Sequence, residues 1–173
     1  MSSTISIIHG DITKETSDVI VNSANPRLTP WGWISWYIHN QAWPELVHAT
    51  RALLESREKQ FLDIAEPVIT DGYNLPQKII HVVGPKYHLN SDTRKELLKQ
   101  VYISCLELAK KEWLKSISFP SIATGIYWCP IDEASPMVLE TLKQYTNDFD
   151  AIHMVLHTED MYDAYNKHRD LIT

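Results

Sequence analysis

The stretch that decides the fold runs from Val21 to Trp43 and reads V-N-S-A-N-P-R-L-T-P-W-G-W-I-S-W-Y-I-H-N-Q-A-W. It begins as a buried strand and ends in a predicted helix. The loop between them holds Trp31, Trp33 and Trp36 beside two prolines and one glycine. Loops that follow strands are where α/β proteins bind their ligands. So many tryptophans in such a loop predict that it determines what the protein binds.

Outside this stretch, apolar runs and helical periodicities alternate along the whole chain. The runs predict strands over Ile5–Ile8, Asp18–Asn22, Glu66–Thr70, Lys78–Val83, Ser116–Phe119 and Ala151–Leu156. Pro67 places the third of these at or near a sheet edge. The periodicities predict four further helices. Two of them cover Glu45–Lys59 and Glu159–Leu171. A third follows a cap at Ser91 or Asp92, and a fourth begins at Pro130 or at the Ser135-Pro136 pair.

This alternation predicts an α/β fold, a three-layer α/β/α sandwich with a mixed, centrally parallel sheet. With 173 residues and no repeats or linkers, residues 1–173 are expected to form a single domain. Neither G-x-G-x-x-G nor G-K-[ST] occurs, so the sequence carries no Rossmann or P-loop fingerprint.

The composition limits the classes of partner that the protein can bind. The net charge of −6 argues against a general nucleic-acid binder, although backbone N–H groups can still hold a small anion. No apolar run reaches the roughly 18–20 residues that span a bilayer, and the N-terminus does not resemble a signal peptide. Cys105 and Cys129 lack metal-site spacing and suggest a reducing, cytoplasmic setting. We expect no nucleic-acid or membrane partner, no metal and no cofactor.

Polar residues follow the first two strands. The Asp11 carboxylate can accept a hydrogen bond from an amino group such as that of adenine, or it can cap a turn. The amides of Asn22 and Asn25 suit ribose hydroxyls, but they can equally satisfy the backbone of a turn. For Asn22 we favour the structural role, and for Asn25 both roles remain open.

A second special loop, S-I-A-T-G-I-Y, covers Ser121–Tyr127. Small residues around Gly125 allow successive N–H groups to form an anion-binding concavity, and the alternative is an ordinary strand-to-helix turn. His39, His81 and Cys105 are expected in or near the core, whereas Cys129 is expected near the pocket.

Taken together, these segments resemble the macrodomain family of ADP-ribose-binding α/β/α modules. The resemblance covers nearly the whole chain in one order. It rests on I-x-x-x-x-G-D-I-T (5–13), D-V-I-V-N-S-A-N-P (18–26), V-I-T-x-G-Y-x-L-P (68–76), K-I-I-H-V-V-G-P (78–85) and F-P-S-I-A-T-G-I-Y (119–127).

The resemblance implies roles for individual residues. Asp11 would hold the adenine amine with Ile12 lining the same pocket, and Asn25 would contact the distal ribose. The diphosphate would lie on the loop Ala123–Tyr127, which includes Thr124, Gly125 and Ile126.

This chain departs from the hydrolytic MacroD-type branch, whose members carry L-x-G-G-G-G-V-D-G-A-I-H where residues 28–39 read L-T-P-W-G-W-I-S-W-Y-I-H. The position of the catalytic aspartate is Ser35, which cannot act as a carboxylate does. Other residues occupy positions where the family usually has glycine: Pro30, Trp31, Trp33, Trp36, Trp43 and Trp128.

These departures favour a module that binds ADP-ribose or a derived nucleotide without the usual hydrolysis, with Trp31, Trp33, Ser35 and Trp128 at the ligand. An ADP-ribosylated protein is a further candidate partner. One alternative is a mono-ADP-ribosyl or O-acetyl-ADP-ribose hydrolase with substrate-assisted water activation, in which Asn25 takes part. A second is a non-binding scaffold whose cleft is filled by tryptophan. A redesigned loop would also explain the pattern.

Overall fold

Six strands form one sheet in the computed structural model, which describes residues 4–173; Met1–Ser3, part of the segment expected not to be a signal peptide, lie outside the described residues. The strands are β1 (Thr4–His9), β2 (Val19–Ala24), β3 (Val68–Thr70), β4 (Lys78–Val83), β5 (Ser116–Phe119) and β6 (Ala151–Leu156). All six predicted strands are confirmed, with bounds shifted by at most two residues at either end.

The strand order is β1-β6-β5-β2-β4-β3. Every neighbouring pair is parallel except β3 with β4, which is antiparallel. The predicted mixed, centrally parallel sheet is therefore confirmed, and the strand after Pro67 is the edge strand. Because five adjacent strands run in the same direction, the carboxyl ends of β1, β6, β5, β2 and β4 meet at one edge.

Helices cover both faces of the sheet. They are α1 (Trp33–Gln41), α2 (Glu45–Ser56), α3 (Ser91–Lys111), α4 (Ile131–Lys143) and α5 (Glu159–Asn166). Residues of α3, α4 and α5 share the larger core with one face of the strands, whereas α1 and α2 pack on the other face. Strand side chains alternate between these cores, as Val19 and Ile20 do, which is the period-two pattern of a sheet covered on both sides.

The predicted helix starts needed two corrections. The cap of α3 is Asn90, whose side chain accepts a hydrogen bond from the Thr93 N–H (2.9 Å), and not Ser91 or Asp92. Helix α4 begins directly after Pro130, so the alternative start at Ser135-Pro136 is wrong; Pro136 lies inside the helix.

Two predicted helix ends were too late. Helix α2 stops at Ser56, three residues before the predicted end, since Glu58 adopts a left-handed conformation (φ 55°) that a helix cannot contain. The closing helix ends at Asn166 and resumes as a separate 3-10 turn over Arg169–Leu171.

Within residues 4–173 no helix is long and apolar enough to cross a membrane.

A crevice opens where β2 and β5 lie side by side. The chain leaving β2 enters α1 on one face of the sheet, and the chain leaving β5 enters α4 on the opposite face. The two loops therefore diverge above neighbouring strand ends, which is the position where open α/β sheets bind ligands.

A buried polar chain ties α1 to the sheet. His81 Nδ1 lies 3.1 Å from the Asn22 side-chain nitrogen, and His81 Nε2 lies 3.0 Å from the Thr70 hydroxyl. Because an amide nitrogen only donates, Nδ1 must accept and Nε2 carries the proton. The Asn22 nitrogen also approaches the Ser35 hydroxyl at 3.4 Å. The predicted core positions of His39 and His81 are confirmed, since both are fully buried. Asn22 is also fully buried, but its side chain contacts His81 and Ser35 and not the backbone of a turn.

We expect acid to destabilise the protein through His81. Burial lowers the pKa of His81 from its ordinary 6.5 to about 3, and the nearby His39 adds to this. The unfolded chain therefore binds the proton between these values while the folded chain does not, so stability is lost as pH falls below 6.5. From pH 7 to pH 5 this one residue should remove about 2 kcal/mol from the free energy of unfolding.

Urea unfolding of His81→Gln across this range should show a correspondingly flatter pH dependence than that of the wild type. His88→Gln, a change at an exposed histidine, is the matched control. An unchanged slope in His81→Gln would contradict this assignment.

Candidate functional site

A cleft of about 130 Å³ lies in the crevice between the loops that follow β2 and β5. One wall is the start of α1, the other is the loop after β5, and the floor comes from the ends of β2 and β5. Its lining residues are Ser23, Ala24, Gly32, Trp33, Ile34, Pro120, Ser121, Ala123, Gly125, Ile126, Tyr127, His157 and Met161. The structure thus brings the two special loops of the sequence together on opposite sides of one cavity.

The single glycine left in the first loop, Gly32, has a conformation that requires it. Its φ of 94° and ψ of 150° fall in a region that side chains with a Cβ scarcely adopt. A Cβ there would also lie 3.3 Å from Ile126 Cδ1 on the opposite wall, so a side chain at this position would crowd Ile126. Gly32 serves as the N-cap residue from which α1 starts.

The loop after β5 presents a run of free backbone donors. Ala123 and Trp128 adopt left-handed conformations, and the N–H groups of Trp128 and Cys129 bond back to the carbonyls of Gly125 and Ala123 (2.9 and 3.0 Å). Between these bonds, the four consecutive N–H groups of Thr124–Tyr127 have no acceptor among the described residues. Such a run has the form of an anion nest.

The facing wall is also a donor surface. Helix α1 has no side-chain cap and no acidic residue in its first turn. Its first bond is the one from Trp36 N–H to Gly32 O (2.8 Å), so within residues 4–173 the N–H groups of Trp33, Ile34 and Ser35 have no acceptor. An uncapped helix N-terminus favours negative charge. Both walls therefore suit an anion.

An aromatic pair closes one end of the cleft. The Trp33 indole lies on the imidazole of His157, with ring centroids 5.8 Å apart and an interplanar angle of 22°. Burial, and to a smaller extent the nearby His9, lowers the pKa of His157 below its ordinary value of 6.5. At neutral pH the imidazole is therefore uncharged and suits stacking with a planar base.

Asp11 and Ile12 lie near this end but do not line the cleft. One Asp11 oxygen accepts from the Thr13 N–H and hydroxyl (2.9 and 2.7 Å), and the other accepts from the Tyr37 hydroxyl (3.0 Å). This hydrogen bond raises the pKa of the Tyr37 phenol. Ile12 is 3% exposed and packs in the core. The turn-capping role of Asp11 is therefore present, while its predicted contact with adenine stays a prediction.

The Asn25 side chain forms hydrogen bonds with the loop that follows β2. Its nitrogen donates to the carbonyls of Thr29 (2.8 Å) and Trp31 (3.3 Å), and its oxygen faces donors on Arg27 and Thr29. It does not line the cleft. Of the two roles left open by the sequence, the structure shows the one in which the amide satisfies a turn.

Ser35 is not brought to the cleft surface. It is completely buried, and its hydroxyl donates to the Thr29 carbonyl (3.1 Å). The expectation that Ser35 contacts a ligand therefore does not fit this conformation. Among the described residues that line the cleft there is no carboxylate, so the lining contains no group equivalent to a catalytic aspartate.

The tryptophans at former glycine positions point outward. Trp31, Trp33, Trp36, Trp43 and Trp128 are 52–76% exposed. Only Trp33 lines the cleft; Trp31 and Trp128, which the sequence also assigned to the ligand, do not. The alternative in which tryptophans fill the cleft as core is wrong, because a core side chain would be buried.

Sequence reasoning missed several cleft residues. Ile34, His157 and Met161 carry no motif, and only their positions directly after a strand or within the first turns of a helix could have indicated them. Cys129 is buried beside α4, where its thiol lies 3.4 Å from the Pro85 carbonyl, and burial raises its pKa. Cys105 is a core residue, as predicted.

Comparison with known proteins agrees with the fold. The profile of the Macro domain family matches residues 21–138. A Macro domain-containing protein of Lactiplantibacillus plantarum is 39% identical over 80% of this chain and 78% of its own. An O-acetyl-ADP-ribose deacetylase of Escherichia fergusonii is 34% identical over 96% of both chains. The structure of the Oceanobacillus iheyensis macrodomain with ADP superimposes with a TM-score of 0.91, at 41% identity, over 98% of this chain and 91% of the other. The resemblance seen in the sequence motifs is thereby confirmed: this chain belongs to the macrodomain family.

Proposed function

We propose that the protein binds an adenine nucleotide that carries a diphosphate, ADP-ribose or a derivative of it, and that it does not hydrolyse this ligand. The observation that supports this most strongly is the pair of donor surfaces in one cleft. Gly125, Ile126 and Tyr127, whose N–H groups have no acceptor among the described residues, line the cleft opposite the uncapped N-terminus of α1. Hydrogen bonds to charged groups contribute about 1.5–3 kcal/mol each, so even two or three of them would hold a diphosphate.

The aromatic end supports a base next to the diphosphate. Trp33 and His157 already lie nearly parallel, so a base can stack on either ring after a small shift of the exposed indole. Stacking contributes about 1–3 kcal/mol per base. The known relatives are consistent with this ligand, since solved macrodomains contain ADP or ADP-ribose.

Hydrolysis is the second candidate function, because curated relatives are named O-acetyl-ADP-ribose deacetylase. The cleft argues against it: of the described lining residues, His157 alone could serve as a base near neutral pH, and its ring is stacked under Trp33. Water activation would have to come from the substrate itself. An ADP-ribosylated protein remains a candidate partner, with the nucleotide as the recognised part.

A charge placed on the donor loop should weaken binding. Ile126 is half exposed and lies on the cleft wall beside the free N–H groups. In Ile126→Asp a carboxylate would face the diphosphate, and we expect the affinity for ADP to fall at least tenfold, equivalent to about 1.4 kcal/mol. Ile126→Asn, of the same shape without the charge, is the control and should lose less than threefold.

Titration calorimetry at low ionic strength measures both affinities. Equal losses in the two variants would show that no anion lies near this wall. No heat with either ADP or ADP-ribose at millimolar concentration would refute the proposed function.

Restoring the family's carboxylate should not restore hydrolysis. In Ser35→Asp a buried carboxylate would replace the hydroxyl that donates to Thr29 O, and two acceptors would then face each other. We expect a loss of about 3 kcal/mol in the free energy of unfolding and no release of ADP-ribose from a mono-ADP-ribosylated protein.

Ser35→Asn, which keeps a donor and adds no charge, should lose clearly less stability in urea. Turnover by the Ser35→Asp variant at a rate typical of an enzyme would count decisively against the non-hydrolytic assignment.

A further inference from the structure

Two further cavities lie next to the cleft and share part of their lining. One, of about 300 Å³, is lined by Asn25, Trp31 and their neighbours, and the other, of about 400 Å³, extends to α2. Arg27, Thr29 and Phe61 line both of them, so these residues lie at the junction of the two cavities. We call the two cavities together the outer groove.

The outer groove adjoins the cleft on the side away from the aromatic pair. His157 follows β6, the loop Thr124–Tyr127 follows β5, and Asn25 follows β2; in the sheet, β5 lies between β6 and β2. Ala24 lines the cleft, and Asn25, the next residue in the chain, lines the groove. A nucleotide with its base at His157 and its phosphates on the loop after β5 therefore directs its far end toward the groove.

The cleft alone is too small for the whole of such a ligand. It measures about 130 Å³, whereas sites for drug-sized ligands measure about 300–1,000 Å³. Part of a ligand as long as ADP-ribose therefore has to lie outside the cleft, and the outer groove provides the adjoining space.

The Arg27 guanidinium in this groove is held in a position that suits a carboxylate. It lies over the Phe61 ring, 5.0 Å from the ring centroid, and forms no hydrogen bond or ion pair within residues 4–173. Stacking uses the face of the planar group and leaves its N–H fork for a bidentate carboxylate. The Arg27 backbone N–H is fixed by the Asn25 side-chain oxygen (3.0 Å). The Leu62 N–H, next to Phe61, donates to the Pro26 carbonyl (2.7 Å), which keeps the pair together.

Cations outnumber carboxylates in the outer groove, although the chain as a whole has a net charge of −6. Arg27 and Arg51 form no ion pair within residues 4–173, whereas Lys59 is paired with two carboxylates outside the groove (2.7 and 3.0 Å). Glu55 is the one carboxylate among the described lining residues, so a positive charge remains. Two free arginines suit single carboxylates, while a polyanion such as nucleic acid needs a broad basic face.

We propose that the outer groove binds the polypeptide of an ADP-ribosylated protein, with an acidic side chain of that polypeptide on Arg27. The nucleotide lies in the cleft, and its far end places the attached chain over Trp31 and Phe61, which are 72% and 46% exposed. Arginine and large aromatic side chains are enriched where proteins bind one another. This inference rests on the proposed function and specifies the protein partner as one with Asp or Glu beside the modified residue.

Two synthetic peptides that carry ADP-ribose on one residue test the groove. One has aspartate on both sides of the modified residue, and the other has asparagine there. Fluorescence anisotropy at low ionic strength should show about fivefold tighter binding of the aspartate peptide, since ion pairs with an exposed arginine are modest in strength. Equal affinities of the two peptides would refute this inference, while binding of free ADP-ribose would leave the proposed function standing. If neither the peptides nor free ADP-ribose bind, the proposed function fails as well.

Variants test whether the arginines cause the preference. Arg27→Gln removes the fork and its charge, so the preference for the aspartate peptide should fall below about twofold. Arg51→Gln, a change at an exposed position of α2, should lower it by a smaller factor. Arg169→Gln is the matched control: it changes the net charge equally at an exposed arginine that lines neither the cleft nor the groove, and it should keep the wild-type preference.

Two outcomes would overturn the assignment of the groove. One is a wild-type preference for the aspartate peptide in Arg27→Gln. The other is tighter binding of an ADP-ribosylated oligonucleotide than of the aspartate peptide, which would assign the groove to nucleic acid.

Discussion

The conformation of the cleft depends on one carbonyl oxygen, that of Thr29. Three donors from three parts of the fold converge on it: an amide at the end of β2, a hydroxyl on α1 and a backbone N–H within the loop. Thr29 itself is exposed, but the Ser35 hydroxyl is fully buried, so moving the carbonyl away would cost this donor its acceptor. The exposed loop is thus tied to the residue that follows β2 and to the first turn of α1, and the N-terminus of that helix keeps its place beside the loop after β5.

The same constraint explains why a hydroxyl is compatible with position 35. Ser35 donates toward the loop and also belongs to the buried polar chain that passes through Asn22 and His81 to Thr70. Every link in this chain requires one donor and one acceptor, and a neutral hydroxyl can be either. A carboxylate accepts only. A hydroxyl at position 35 and the hydrogen-bonded loop conformation therefore belong to one hydrogen-bond pattern.

Much of the fold could be predicted from the sequence because its signals are local. Continuous apolar runs mark strands covered on both faces, and all six were found, as was the edge position that Pro67 indicated for β3. Helix ends were less predictable: Asn90 and Ser91 are adjacent residues that can both cap, and only the backbone geometry decides between them.

The site could be predicted in outline only. The donor loop Thr124–Tyr127 follows from small residues around Gly125, and in the structure Gly125, Ile126 and Tyr127 line the cleft while Thr124 does not. The directions of Trp31 and Trp128 could not be predicted, because an indole has the same sequence signature whether it faces a cleft or solvent. Asn25 shows the same limit, since its amide suits a ribose hydroxyl and a turn carbonyl equally.

A chain of net charge −6 can bind an anion only if the site itself supplies groups that attract negative charge. The field of the whole molecule repels a nucleotide at long range, and among the described residues that line the cleft no lysine or arginine offsets this. Backbone N–H groups can attract an anion because they carry partial positive charges, which act only at contact and add nothing to the net charge. Their action depends on being fixed in direction, which is why the left-handed Ala123 and Trp128 on one wall and Gly32 on the other matter. Under the proposed function, the diphosphate is therefore held by backbone conformation and the base by the Trp33 and His157 rings, while the other side chains of the two loops act mainly by holding that conformation in place.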